Sequence, residues 1–167
     1  IKTRRNPNCP VCSLPPEEIE LVDYEMFCGT PAYEHSDYAK ERHTSMKSID
    51  VHQLKSRLDD GADLLILDVR TPLEWQIVSL AGTLRIPKDE IRMAKDAVLS
   101  GRKQRDETVL TDIPQDKEIV VQCRAGIRSA YVIFMLQELG YDLDKLYNLE
   151  GGILAWAREI DKTMPLY

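Results

Sequence analysis

The sequence predicts an α/β domain: a doubly wound parallel sheet with helices on its faces. Three observations lead there. Apolar runs of the buried-strand kind recur, above all Leu64-Leu65-Ile66-Leu67 and Ile119-Val120-Val121. Helical patterns follow them, with start signals at the junctions. Strands and helices alternate along the chain, and such alternation builds parallel sheets through right-handed crossovers.

Composition narrows the class. Hydrophobic residues make up 43% and charged residues 30% of the 167-residue chain. That balance is globular, with length for one domain and an extension. A net charge of −6 argues against general nucleic-acid binding. No apolar run approaches the roughly 18 residues of a membrane span. There is no signal-peptide pattern, and the chain begins with Ile1 rather than Met, so a fragment or a processed product is expected. Four cysteines are too few for a disulfide scaffold at this length, and a reduced, cytoplasmic setting is expected.

Taken in order, residues 1–16 are rich in proline and basic residues and predict no regular element. Within them, Cys9-Pro10-Val11-Cys12 has the spacing with which two thiolates grip one tetrahedral zinc ion. Two ligands are half a structural site, so the partner cysteines are expected upstream of Ile1. The alternative is a pair of idle exposed thiols. In 17–29, Ile19, Leu21 and Val22 predict a short strand, and Tyr24 and Phe27 an apolar pair in a turn. Residues 30–44 are polar, contain Pro31 and read as a linker.

Residues 45–167 carry the domain. Met46–Ile49 predicts a strand, and Asp50 caps a helix carrying Val51, Leu54 and Leu58. The buried strand 64–67 ends in Asp68-Val69-Arg70. Thr71 as N-cap and Pro72 at the first helical position open a short helix over 72–79. Thr83–Ile86 is a strand stopped by Pro87, and 88–99 is a helix. Residues 100–117, with Gly101-Arg102-Lys103-Gln104-Arg105, read as a mobile polar surface insertion whose basic cluster is solvated or docks an acidic partner. The central strand spans 118–122. Ser129–Leu139 follows as a mostly apolar helix with Gly140 as C-cap. Lys145–Asn148 is a short strand, Glu150-Gly151-Gly152 a tight turn, and 153–161 a last helix anchored by Trp156.

The candidate site is Cys123-Arg124-Ala125-Gly126-Ile127-Arg128-Ser129. It joins the central strand to a helix, where reactive groups gather in open α/β sheets. Backbone N–H groups of the loop can turn inward around the sulfur, and the helix N-terminus adds partial positive charge. Arg124 and Arg128 add full charges. Each effect favours thiolate, the nucleophilic form. Gly126 is expected to permit the tight turn. Asp68 sits at a strand end near this loop and is expected to bond to it. Arg70 and Glu74, four apart, are expected to pair at the start of the helix; both readings are structural support.

Three stretches now carry a resemblance. Leu67-Asp68-Val69-Arg70-Thr71-Pro72-Leu73-Glu74, the Cys123–Ser129 loop, and Leu149-Glu150-Gly151-Gly152-Ile153-Leu154-Ala155-Trp156 resemble, in order, three marks of the rhodanese family. The resemblance implies a central five-stranded parallel sheet flanked by helices, and transfer of sulfane sulfur through a persulfide on Cys123. The stretch Asn8-Cys9-Pro10-Val11-Cys12 and then Leu21–Gly29 resembles the end of the adenylyltransferase in MoeZ-type and MoeB–rhodanese fusions. On that resemblance, residues 1–29 are an adenylyltransferase remnant whose Cys9 and Cys12 supply half a zinc site. ATP is used only by the upstream domain. The implied partners are a ubiquitin-like sulfur carrier and a donor, either a persulfide donor such as a cysteine desulfurase or thiosulfate, and the full-length protein is expected as a dimer. Thiocarboxylate formation would serve molybdopterin synthesis, tRNA thiolation or a related pathway. The chain departs from the family pattern at Ile77–Gly82, where many rhodaneses carry a His. It also departs from eukaryotic fusions by placing Arg128 where they often have Asp, which favours anionic donors.

Two rivals are weighed. Phosphatases of a related fold place five residues between Cys and Arg, whereas four separate Cys123 from Arg128, and Gln122 stands before the cysteine. A cysteine protease needs a partnering His, and His35, His43 and His52 read as surface residues near the linker. A catalytically inactive binding module is the alternative function. For release of the thiocarboxylate, Cys28 is the candidate resolving thiol, since Cys9 and Cys12 are committed to zinc; the other reading is a packed cysteine beside Phe27.

Overall fold

The computed structural model describes residues 46–167, which hold five strands and five α-helices. Strand β1 is Lys47–Ile49, β2 Leu64–Asp68, β3 Leu84–Arg85, β4 Glu118–Gln122 and β5 Leu146–Leu149. The helices are α1 Val51–Asp59, α2 Pro72–Ile77, α3 Lys88–Leu99, α4 Ile127–Glu138 and α5 Gly152–Glu159. One five-stranded sheet has the order β1-β5-β4-β2-β3, with all four pairings parallel. The expected fold class is therefore the observed one. Residues 1–45, with the expected remnant, linker, zinc half-site and Cys28, lie outside the described residues.

Alternation along the strands divides the core. Leu67, Ile119 and Val121 face Ile91 and Ala94 of α3 and Val132, Ile133 and Leu136 of α4. Ile66, Val120 and Leu149 face Val51 and Leu54 of α1 and Ile153 and Trp156 of α5. The two central strands are covered on both faces, which is why they read as unbroken apolar runs.

Element ends follow local chemistry. Asp50 caps α1 in a capping box: its carboxylate accepts from Gln53 N–H at 2.8 Å, and its own N–H donates to Gln53 Oε1 at 3.1 Å. Leu58, expected inside, is 38% exposed at the helix end. Thr71 and Glu74 form the same box on α2, with Pro72 at its start. That helix stops two residues short of the expected 79, because Val78 turns extended and is buried. At the end of α4, Tyr141 N–H reaches Leu136 O at 3.1 Å and Gly140 N–H reaches Gln137 O at 2.9 Å. With Gly140 at φ +85°, this is a Schellman cap.

The 100–117 stretch corrects an expectation. It is not a loose polar insertion: it contains 3₁₀ turns at Arg105–Glu107 and Val109–Asp112 and sinks Leu110 and Ile113 fully into the core. Arg105 is not a free docking charge either. It donates to Ile113 O at 2.6 Å and stacks 4.9 Å from the Tyr141 ring centroid. Three apolar residues, Val109, Leu110 and Ile113, among polar and charged neighbours give no period to read. Leu110→Ala is expected to cost about 2–5 kcal/mol, seen as a lowered urea midpoint at unchanged slope. A loss under about 0.5 kcal/mol would restore the mobile reading.

Candidate active site

Strand β4 delivers Cys123 to the carboxyl edge of the sheet, and the loop turns straight into α4. The helix begins at Ile127, two residues earlier than expected, because Gly126 takes φ +96° and acts as its N-cap. A Cβ on Gly126 would lie 3.4 Å from Leu149 O, an ordinary contact, so it is the backbone angle that favours glycine.

The carbonyls of the loop are taken from behind. Ile153 N–H donates to Cys123 O at 3.0 Å, and Leu154 N–H donates to Arg124 O at 3.2 Å. These donors are first-turn N–H groups of α5, which have no partner inside their own helix. Gly152 makes the approach feasible, since a Cβ there would sit 2.4 Å from Cys123 O and 2.7 Å from the Arg124 carbonyl carbon. With carbonyls facing α5, the loop N–H groups face the sulfur.

Cys123 is 1% exposed and its thiol is free. Gly126 N–H points at Sγ from 3.1 Å, and Ser129 Oγ lies 3.4 Å away. Burial pushes the thiol up. The Ser129 hydroxyl and the N–H groups of Ser129, Ala125 and Gly126 outweigh it and hold Cys123 below the ordinary cysteine value. Ser129 is itself buried and placed by Asn148 of β5, whose Oδ1 is 2.6 Å from its hydroxyl, and by Gly126 O at 3.0 Å. Its single hydroxyl proton serves one of these acceptors at a time.

The arginines behave differently from expectation. Arg128 makes a two-pronged pair with Glu74, Nη1–Oε2 at 2.7 Å and Nη2–Oε1 at 2.6 Å. The Arg128 guanidinium holds the Glu74 carboxyl down at about 2, against an ordinary value of 4.5. The pair thus contributes stability that is present above about pH 4.5 and lost as pH falls toward about 2. Arg124, on the exposed side of the loop, donates through Nε to the main-chain oxygen of Tyr167 at 2.8 Å.

Asp68 does not bond to the loop, and Arg70 does not pair with the Glu74 carboxylate. They pair with each other, and both are fully buried. Arg70 Nη2 meets Asp68 Oδ2 at 2.7 Å, and Nε meets Oδ1 at 3.0 Å. Two unpaired charges at a strand end would be costly to bury, and mutual pairing offsets part of that cost. Every guanidinium nitrogen of Arg70 is used: Nη2 also reaches Val78 O at 2.9 Å, and Nη1 reaches Tyr167 Oη at 2.6 Å.

Sequence reasoning missed Glu74 as the partner of Arg128, Asn148 behind Ser129, Gly152 against the loop, and Tyr167. The paired glycines at 151–152 were the available signal of a close backbone approach. Tyr167 is 43 residues from Arg124 and carries no local signal. Among the described residues, no group of His, Cys, Asp and Glu is arranged to hold a metal ion, and no helix is long and apolar enough to cross a membrane. His52 lies at the surface, 3.0 Å from Glu159.

A parallel five-stranded sheet whose central strand presents a cysteine in an amide-lined loop, beside a strand that ends in a buried Asp-x-Arg pair, defines a rhodanese-like sulfurtransferase domain. The family model described as Rhodanese-like domain matches residues 50–159, and the chain belongs to that family. It is 33% identical over its whole length to the probable adenylyltransferase/sulfurtransferase MoeZ of Mycobacterium tuberculosis, spanning 36% of that protein. Over 98% of its length it is 36% identical to the adenylyltransferase and sulfurtransferase MOCS3 of Sus scrofa, again spanning 36% of the relative. The chain thus spans about a third of the length of these curated relatives. The match falls on their C-terminal rhodanese part. A crystal structure of a rhodanese-related protein from Thermoplasma volcanium superposes with a TM-score of 0.53 at 28% identity, covering 68% of this chain and 93% of that one.

Two outcomes are expected. In a pH titration of thiolate ultraviolet absorbance, the signal lost in Cys123→Ser has its midpoint below the ordinary cysteine range, and Ser129→Ala moves it upward; an unmoved midpoint would remove the hydroxyl from the account. Arg70→Ala, which strands Asp68 without its partner, costs about 3–5 kcal/mol in chemical denaturation, and adding Asp68→Asn recovers part of that loss.

Proposed function

We propose that this domain carries sulfane sulfur as a Cys123 persulfide and delivers it to the C-terminus of a ubiquitin-like sulfur carrier. One observation carries the reading: three main-chain N–H groups and a hydroxyl converge on one buried sulfur. Such fixed dipoles stabilise an anion on sulfur without rearranging when it forms.

The Cys123 thiolate attacks the outer sulfur of the donor. With thiosulfate, a sulfur–sulfur bond forms at Cys123 while the bond to the sulfonate sulfur breaks, and sulfite leaves with the electron pair. With a protein persulfide donor, the donor's thiolate leaves instead. The terminal sulfur of the persulfide then attacks the carrier's C-terminal carbonyl, already activated as an acyl adenylate, and AMP departs. The resulting acyl disulfide is opened by a thiolate that attacks Cys123 Sγ, which leaves a disulfide at Cys123 and releases the carrier thiocarboxylate. Cys28 is the proposed thiol for this step, and the zinc half-site of Cys9 and Cys12 belongs to the same reading.

Support for the carrier comes from the MoeZ and MOCS3 relatives, whose names join adenylyl transfer to sulfur transfer. The pathway served, whether molybdopterin synthesis or tRNA thiolation, is part of the proposal. The test pairs thiosulfate with cyanide and follows thiocyanate, with intact-mass detection of a one-sulfur gain. Wild type is expected to form thiocyanate and to carry the extra sulfur on Cys123, and Cys123→Ser to lose both. Absence of transfer and of the mass gain with thiosulfate and with a persulfide donor would leave the binding-module reading instead.

A further inference from the structure

Tyr167 contacts three charged groups beside the loop, Arg70, Glu74 and Arg124, and nothing in the transfer step described above uses it. Its hydroxyl accepts from Arg70 Nη1 at 2.6 Å and donates to Glu74 Oε1 at 3.2 Å. Burial raises the phenol's pKa, with Arg70 opposing, so at neutral pH the hydroxyl keeps the proton it donates. Its main-chain oxygen accepts from Arg124 Nε at 2.8 Å and from Arg124 Nη2. The guanidinium carbons of Arg124 and Arg70 stand 5.4 Å and 5.9 Å from its ring centroid.

The loop has two guanidinium groups with which to meet an incoming anion. Glu74 holds Arg128 by both prongs, and Tyr167 holds Arg124. A small dianion such as thiosulfate depends on such groups, because a cationic donor binds an anion more strongly than a neutral one does. A persulfide presents a single charge at its terminal sulfur, which the loop N–H groups meet by themselves.

We propose that Tyr167 is a specificity-determining residue of the Cys123 site: by engaging Arg124, it disfavours small dianionic sulfane donors and biases the site toward persulfide donors. This rests on the sulfurtransferase reading and concerns the donor side of the same site. It also revises the sequence expectation that Arg128 favours anionic donors, because Arg128 is already neutralised.

The test uses the full chain and two donors, thiosulfate with cyanide as acceptor and free cysteine persulfide, on wild type, Tyr167→Ala and Tyr167→Leu. Both variants keep the main-chain oxygen that accepts from Arg124 but lose the ring beside that guanidinium and the hydroxyl that anchors residue 167 to Arg70 and Glu74, so the oxygen is no longer held in place; the leucine variant keeps the apolar bulk. Both substitutions are expected to lower KM for thiosulfate about tenfold with kcat within about twofold. Where wild-type turnover of thiosulfate is below detection, turnover appears in the variants. Persulfide loading of Cys123 from cysteine persulfide stays within about twofold of wild type. Adding Arg124→Gln to Tyr167→Ala returns the thiosulfate KM to the wild-type value or above, a coupling that general loosening would not produce. An unchanged or raised thiosulfate KM in both variants, with cysteine persulfide loading intact, overturns the role of Tyr167 alone. Failure of wild type to gain sulfur on Cys123 from either donor overturns the sulfurtransferase reading and this one with it.

Discussion

The buried Asp68–Arg70 pair is the constraint from which the site is assembled. It sits where β2 ends, at the register position opposite Gln122, one residue before the cysteine. A buried ion pair is weak evidence for net stability, since desolvation offsets much of the attraction. Its value here is geometric. The Arg70 fork binds the Asp68 carboxylate on one side and the carbonyls of Val78 and Glu74 on the other. Those contacts fix where α2 starts and where it must stop. Glu74 is thereby set facing the cysteine loop, and its carboxylate takes Arg128. The chain of contacts runs from a strand end, through a short helix, to the first turn of α4.

A second constraint comes from behind the loop. The first turn of α5 takes the carbonyls of Cys123 and Arg124, so the peptide planes can only present their N–H groups to the sulfur. Gly152 permits the contact and Gly126 completes the turn. Two helix starts thus act on one loop in different ways: α4 follows from it, and α5 holds its carbonyls. The lowered thiol pKa is the sum of this arrangement against the opposing effect of burial.

How much of this the sequence disclosed depends on how local the cause is. The sheet class, the capping residues Asp50 and Thr71, the C-terminal glycine of α4 and the place of Cys123 all rest on signals within a few residues, and they were legible. The partnership of Asp68 and Arg70 was missed although they are two apart, because Asp68 reads toward the cysteine loop and Arg70 toward Glu74, four residues on at the helix entry. Burial decided it: a fully buried carboxylate needs the fork, whereas Glu74 had Arg128 within reach. Leu110 and Ile113 were lost among polar neighbours with no regular period. Tyr167 was illegible, since its contacts depend on tertiary structure alone.

Both arginines of the loop are occupied, so the sulfur is held chiefly by neutral dipoles. That suits the proposed chemistry. When a thiolate accepts a neutral sulfur atom, the charge stays at minus one and only moves outward by a bond. A nearby unpaired cation would favour one position of that charge over the other and slow either loading or delivery. Fixed N–H groups distributed around the loop serve both positions more evenly. On this view, the pairing of Arg128 with Glu74 and the engagement of Arg124 by Tyr167 do not waste positive charge. They keep the loop rigid while withholding full cations from a group that must give its sulfur away as readily as it takes it.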